Sequence, residues 1–202
     1  MFIAISQRLM ENSSYVELRE GLALDWGIFF RKYLRDYLPL PLSYEIEFNR
    51  YIPYVSGVIL SGGNDLSTID DSRINNKRDS YESKIIEECI EHKIPLLGIC
   101  HGAQIISYYF SSSFERQSGH VGNHKIMVDN KEYEVNSYHN YCITKLGDEL
   151  EALAKIDCSI EAFRHKQHDI YAIMWHIERE CGMQYRDVFD IWFKKVKERV
   201  CK

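Results

Sequence analysis

Gly98-Ile99-Cys100-His101-Gly102-Ala103-Gln104 is the stretch on which the fold turns. The apolar run Ile94-Pro95-Leu96-Leu97 precedes it, and Ile105, Ile106, Tyr108, Tyr109 and Phe110 follow. This pattern predicts a buried strand, a sharp turn between two glycines, and a helix. It is the G-x-C-x-G form of the nucleophile elbow. The glycines let strand and helix approach closely around a strained turn. The turn lifts the Cys100 side chain out of the sheet toward the N-terminus of the next helix. There the helix dipole and free N–H groups favour a thiolate. A lone cysteine after an apolar strand is usually a core residue, so the catalytic reading needs a base and an orienter.

Both occur late in the chain. Ile170 to Trp175 reads as a buried strand, and His176-Ile177-Glu178 follows it directly. Two residues apart on extended backbone, His176 and Glu178 point to the same side. Glu178 then holds the His176 ring in one tautomer and leaves the other nitrogen for Cys100. Upstream, Tyr54 to Leu60 reads as another buried strand, followed by Ser61-Gly62-Gly63-Asn64-Asp65. The Gly62-Gly63 pair lets backbone N–H groups approach a ligand, and with the His101 N–H it makes an oxyanion hole. Each such donor is worth about 100- to 1000-fold in rate. Taken singly, Gly-Gly is an ordinary turn and His-x-Glu carries no information. Taken together, each piece sits at the C-terminal end of a predicted strand, where open α/β sheets place their sites.

These residues resemble the class I glutamine amidotransferase superfamily, including its stand-alone γ-glutamyl hydrolases. The resemblance runs from the first strand to about Glu178. It implies that Cys100 attacks a γ-glutamyl amide to give a γ-glutamyl thioester, which water hydrolyses, with His176 and Glu178 completing a triad. It implies oxyanion N–H groups from Gly63 and His101, with Gly62 beside them. It matches Gln104 to a glutamine that holds the glutamate end of the substrate. It also matches Asn136-Ser137-Tyr138-His139 to a segment lining the γ-glutamyl pocket, and fits Arg78-Asp79 with Glu82, just before a helix, to the hydrolase branch. Two positions depart from the pattern. Ile177 stands where the family usually has proline, yet the His176–Glu178 geometry is expected to hold. His101 stands where the hydrolase branch often has arginine.

Composition fits such an enzyme. The chain has 202 residues, enough for one domain over 1–202 with a substantial core. The net charge of −5 and the lack of a long basic run argue against a nucleic-acid partner. Six cysteines at 89, 100, 142, 158, 181 and 201 form no C-x-x-C pair, so neither a zinc site nor a disulfide framework is indicated. Cys89 falls on the apolar stripe of a helix, and Cys142 and Cys158 fall in expected strands. No metal or cofactor is expected. The short apolar start Met1-Phe2-Ile3-Ala4-Ile5-Ser6 lacks the basic region of a signal peptide. No run reaches the length of a membrane span, and a cytoplasmic location is expected.

The other elements complete an α/β sandwich: a flavodoxin-like, mostly parallel central sheet with helices on both faces and a small antiparallel extension. Phe2 to Ile5 is the first strand, and Leu22 to Tyr37 a helix. Leu38-Pro39-Leu40-Pro41 ends that helix and leads to the next strand. Asp65 to Lys77 is loop-like and Asp79 to His92 helical. Lys125 to Val135 is a hairpin turning at Asp129-Asn130, and Ile156 to Phe163 is a strand. Tyr185 to Val200 is an amphipathic helix.

No P-loop or synthase segment is present, so the chain is expected to be either a stand-alone hydrolase or the glutaminase half of a two-chain enzyme with a synthase partner. A catalytically silent binding module on this fold is a further alternative, disfavoured by an intact triad. Arg73, Lys77 and Arg78, and then Arg116, His120, His124 and Lys125, are basic clusters expected near the pocket rim. They suit an anionic leaving group such as a nucleotide, or are plain solvated loop charge. The short length and the Trp175-His176-Ile177-Glu178 variant resemble hydrolases of bacterial capsule synthesis. Those enzymes remove a glutamyl group from a nucleotide-linked phosphoramidate.

Overall fold

The computed structural model describes residues 1–12, 14–117 and 121–200. In chain order the strands and helices begin with β1 (Phe2–Ile5), β2 (Arg8–Glu11), β3 (Leu18–Gly21), α1 (Leu24–Tyr33), β4 (Leu38–Pro41) and β5 (Val55–Leu60). Then come α2 (Arg73–Glu91), β6 (Leu96–Ile99), α3 (His101–Tyr109), β7 (Ser113–Arg116), β8 (Val121–Val128) and β9 (Lys131–Tyr138). The last are β10 (Tyr141–Lys145), β11 (Leu150–Ile156), β12 (Ser159–His165), β13 (Ile170–Ile173) and α4 (Asp187–Val200).

The main sheet runs β4-β1-β5-β6-β13-β12-β11-β8-β9, with β10 and β7 branching from β12. Neighbours from β4 through β13 are parallel, and the remainder pair antiparallel. The antiparallel portion is therefore larger than a small extension. Side chains alternate between faces, as the period of two requires. Ala4, Val58, Leu60, Leu96 and Ala172 join one apolar layer with Ile85, Ile86 and Ile106 of α2 and α3. Ile3, Ile5, Ile59, Leu97 and Ile173 join the other with Phe29, Phe30, Phe189 and Trp192 of α1 and α4. From β1 the chain moves outward to β4 through α1. It moves the other way from β5 to β6 through α2. Right-handed crossovers in opposite directions put their helices on opposite faces.

Several boundaries differ from the sequence reading. The first helix is shorter, ending before Leu34, and Leu38–Pro41 is itself a strand. Its two prolines are tolerated because β4 lies at the sheet edge. The second helix starts at Arg73 rather than Asp79, because Ser72 caps it by accepting from Asn75 N at 3.3 Å. Arg78-Asp79 consequently lies inside this helix, not ahead of it. The expected strand over Ile156 to Phe163 is broken by a turn at Asp157, whose φ is +48°, so Cys158 sits in a turn. The Asp129-Asn130 turn has φ of +47° and +63°, the left-handed pair that joins β8 to β9. The β2–β3 hairpin, a separate two-stranded sheet, has no counterpart in the sequence reading. Among the described residues, no helix is long and apolar enough to cross a membrane.

Candidate active site

Four parallel strands end at one rim of the sheet. Pairing of Ile5 with Ile59, of Leu60 with Gly98 and of Ile99 with Ile173 aligns those ends. Ser6, Ser61, Cys100 and the 174–178 segment emerge there side by side. Cys100 N donates to Ile173 O at 2.9 Å, which ties the elbow to the strand that carries the histidine.

Cys100 adopts φ +51° and ψ −102° just before α3, a conformation costly for a residue with a Cβ. Close packing enforces it. A Cβ on Gly102 would fall 2.1 Å from Leu60 O, so only glycine lets the helix sit so near β5. Burial alone would push the Cys100 thiol up. The hydrogen bond and charge of His176, with the charge of His139, outweigh burial and hold it below the ordinary thiol value. Burial would likewise lower His176, but its bonds to Cys100 and Glu178 push it up to about 9. Both shifts favour the thiolate–imidazolium form of the pair.

Glu178 Oε1 lies 2.6 Å from His176 Nδ1, so the geometry holds with Ile177 in place of proline. Asn136 fixes the same segment. Its Oδ1 accepts from His176 N at 2.8 Å, and its Nδ2 donates to His176 O at 2.9 Å and to Glu180 O at 2.8 Å. Those bonds take up both amide hydrogens, so Asn136 braces the histidine loop instead of presenting a donor to the pocket. Tyr138 packs edge-on against the His176 ring at 5.4 Å. Ser137 is buried beside Asn136. Gln104 on α3 donates from Nε2 to Tyr141 O at 3.2 Å, which fixes its amide one turn past Cys100.

The Gly62–Gly63 loop is pressed against the histidine: a Cβ on Gly62 would lie 2.6 Å from His176 Cε1. Gly63 has φ +137°, open to glycine alone. A fully buried arginine holds this loop from behind. Arg78 donates to Ser61 O at 2.6 Å, to Gly62 O at 3.3 Å and to Asn64 Oδ1 at 3.0 Å, and pairs with Glu82 at 2.9 Å. The Ser61 and Gly62 carbonyls thus turn inward to Arg78, and Ser61 N donates to Ser6 Oγ at 3.0 Å. The His101 ring is turned away from the site, 3.2 Å from Glu82 Oε2, while its N–H opens α3. Burial would raise Glu82, but Arg78 and His101 hold it at about 2.

His139 is buried behind this constellation. Its Nε2 and that of His124 each lie 3.4 Å from Glu161 Oε2, and Ser159 Oγ donates to Glu161 Oε1 at 2.6 Å. One ligand atom from each of His124, His139 and Glu161 falls within 4.8 Å of the others. Burial opposes the charge on His139, yet bonds to Cys142 and Glu161 push its pKa up to about 10.

The basic residues expected at the rim go elsewhere. Arg78 is interior. Lys77 pairs with Glu45 at 2.5 Å and Lys125 with Glu132 at 2.7 Å. Arg73 lines a separate cavity beside Tyr15. His124 faces Glu161, Arg116 is exposed on β7, and His120 lies outside the described residues. The cations that do border the histidine are Arg8 and Arg179, which line a cavity of about 300 Å³ with Gly62, Gly63, His176 and Glu178. Arg179 was signalled only by its adjacency to Glu178. Arg8 had no signal, because its short hairpin shows no clear period.

Residues 41–196 match the family described as glutamine amidotransferase class-I. The chain belongs to that family. Class I amidotransferases are enzymes that use a cysteine to hydrolyse the γ-amide of glutamine, and this amidotransferase-family chain brings a cysteine, histidine and glutamate together for that chemistry. A relative named γ-glutamyl-CDP-amidate hydrolase, from Campylobacter jejuni subsp. jejuni serotype O:2, is 51% identical over 201 residues, spanning 98% of this chain and 100% of its own. A glutamine-hydrolysing GMP synthase subunit of Thermoplasma acidophilum is 31% identical, over 67% of this chain and 69% of its own. A solved structure described as a GMP synthase subunit from the same organism superposes with a TM-score of 0.73 at 23% identity. That match covers 98% of this chain and 95% of the other and reports the shared fold.

Proposed function

We propose that this chain hydrolyses a γ-glutamyl amide whose nitrogen belongs to a nucleotide-linked phosphoramidate, releasing L-glutamate. The observation that carries the chemistry is the buried Cys100–His176–Glu178 relay, with its histidine pushed up to about 9. The leaving group is argued from the name of the 51% identical relative.

The Cys100 thiolate attacks the γ-carbonyl carbon. The carbonyl electrons move onto oxygen, which the N–H groups of Gly63 and His101 receive. The glutamate end docks toward Gln104, Ser137, Tyr138 and His139. His176, protonated on the nitrogen not held by Glu178, gives that proton to the departing nitrogen as the C–N bond breaks. A γ-glutamyl thioester and a phosphoramidate result. His176, now neutral, takes a proton from water as the water attacks the thioester. Glutamate leaves and the thiolate–imidazolium pair is restored. The relay needs no cofactor, and residues 1–202 act as one catalytic domain. With five free cysteines among the described residues, the protein fits a reducing cytoplasm, serving phosphoramidate supply for a bacterial capsule.

A second reading makes the chain the ammonia-delivering half of a two-chain enzyme, favoured by its likeness to the GMP synthase relative. The deciding experiment measures free L-glutamate released from γ-glutamyl-CDP-amidate and from L-glutamine side by side. Fast release from the nucleotide and slow release from glutamine is the expected result. Release from glutamine only when a synthase is added would establish the second reading. Cys100→Ala should abolish glutamate release from either substrate while leaving the thermal unfolding transition in place.

A further inference from the structure

The site described so far explains how a γ-glutamyl group is attacked, but not how its other half is held. Microscopic geometry limits where that half lies. The proton donor to the leaving nitrogen is His176, so the leaving group occupies the space that His176 faces. A cavity of about 300 Å³ bounded by His176, Glu178 and Gly62–Gly63 borders that histidine. Cys100, Gln104, Ser137 and His139 do not line it, so it adjoins the point of attack on the side away from the glutamate end. We propose that Arg8 and Arg179 form a phosphate subsite there, which receives the organic diphosphate of a nucleotide leaving group. The inference rests on the γ-glutamyl hydrolase reading above.

Arg8 is held in place by the oxyanion loop itself. A Cβ on Gly63 would lie 3.1 Å from Arg8 Cγ, so the arginine stem lies directly on that glycine. Asn64 sutures the hairpin to the loop, accepting from Leu9 N at 3.1 Å and donating to Leu9 O at 3.0 Å. Arg78 donates to the same Asn64 Oδ1. Arg8 is exposed and forms no ion pair with a carboxylate among the described residues.

Arg179 lines the same cavity. Its guanidinium stacks over Tyr138 at 4.3 Å, and its side chain is 36% exposed. Among the described residues its one carboxylate partner is Glu178 at 3.8 Å, and that oxygen already binds His176 at 2.6 Å. Two arginines lining one cavity offer the planar, forked donors that phosphate oxygens accept from. Met10, Leu22 and Trp26 supply the apolar side of the same cavity, a surface suited to a base or ribose. Two local cations also offset the net charge of −5, which by itself disfavours a diphosphate.

The test compares Arg8→Ala, Arg179→Ala and the double variant in two readouts. The first is KM for γ-glutamyl-CDP-amidate. Each single change should raise it about tenfold, and the double variant about a hundredfold, with kcat less affected. The ratio of kcat/KM for the nucleotide substrate over L-glutamine should fall by the same factor. The second is calorimetric binding of inorganic pyrophosphate and of CDP to the Cys100→Ala protein. Binding should weaken in parallel in the arginine variants, while Lys125→Ala, a surface pair elsewhere, leaves it within about twofold.

Cleavage of the nucleotide with unchanged KM in the double variant would overturn the subsite and leave the hydrolase reading standing. Cleavage of glutamine alone, with CDP still bound through the two arginines, would do the reverse. Equal losses on both substrates, or no pyrophosphate or CDP binding by the Cys100→Ala protein, would overturn the subsite as well.

Discussion

Glu178→Gln isolates what the carboxylate does for the relay, because it preserves shape and removes charge. In the wild type His176 rises from an ordinary 6.5 to about 9 even though burial pulls it down. That difference favours the charged ring by about 3 kcal/mol. Only two groups supply it, the Cys100 thiolate and the Glu178 carboxylate at 2.6 Å. With the carboxylate gone, burial competes with the thiolate alone, and the histidine returns to about 6.5 or below. At pH 8 the imidazolium fraction then drops about thirtyfold, and the paired thiolate drops with it. A glutamine amide can also turn its NH2 toward Nδ1, which places the ring proton on the nitrogen meant for Cys100. Loss of the correct tautomer in a serine triad costs about 10⁴ in kcat. A cysteine is intrinsically more acidic, so a fall of about 10³ is expected here. The assay follows kcat for L-glutamate release from pH 5.5 to 10, alongside the iodoacetamide alkylation rate of the Cys100 peptide by mass spectrometry. In the wild type the alkaline limb should lie near pH 9, where the imidazolium can no longer protonate the leaving nitrogen. In the variant it should move down by about two and a half pH units. An unmoved limb together with kcat within tenfold of wild type would refute the coupling between Glu178 and His176.

Gly62→Ala should lower kcat by at least about 100-fold without unfolding the protein, because the new Cβ would fall 2.6 Å from His176 Cε1 and displace the ring; steady-state kinetics with circular dichroism checks both halves. Asn136→Ala removes three bonds to the histidine loop, so kcat should fall about 10- to 100-fold with KM little changed, whereas a residue touching substrate would raise KM. Arg78→Met leaves Glu82 buried without its guanidinium partner, and should cost about 3–5 kcal/mol in urea unfolding. The Glu82 contribution has a definite sign. Its pKa is about 2 when folded and 4.5 otherwise, so the stabilisation is fully present above 4.5 and is lost as pH falls toward 2. The stability deficit of Arg78→Met, read by urea unfolding across pH, should therefore be largest above pH 4.5 and shrink as pH falls toward 2.

The attacking group was legible because its signal is local. Strand, turn glycines and helix around Cys100 occupy one short segment, and each residue's role follows from its neighbours in the chain. The same holds for His176 and Glu178, whose spacing carries their geometry, and for the Asp129-Asn130 turn. Arg78 shows where such reasoning stops. In sequence it sits among Arg73, Lys77 and Asp79 and reads as a surface cation. In the structure it is wholly interior, because its partners are the Ser61 and Gly62 carbonyls and a glutamate one helical turn away that also meets His101. Nothing within a few residues distinguishes an arginine clamped by carbonyls from one bathed in water. Arg8 is the converse case. It sits on a short hairpin with no clear period, and becomes a site residue only because Asn64, far along the chain, reaches back to Leu9. The difference is physical. A nucleophile needs a strained backbone, and strain is encoded by the glycines beside it. A leaving-group subsite needs only charge at the right place, and that place is set by the tertiary packing of segments distant in sequence. It follows that relatives sharing the Cys100 elbow are expected to share the γ-glutamyl chemistry, while what they release is to be sought in the residues at the positions of Arg8 and Arg179.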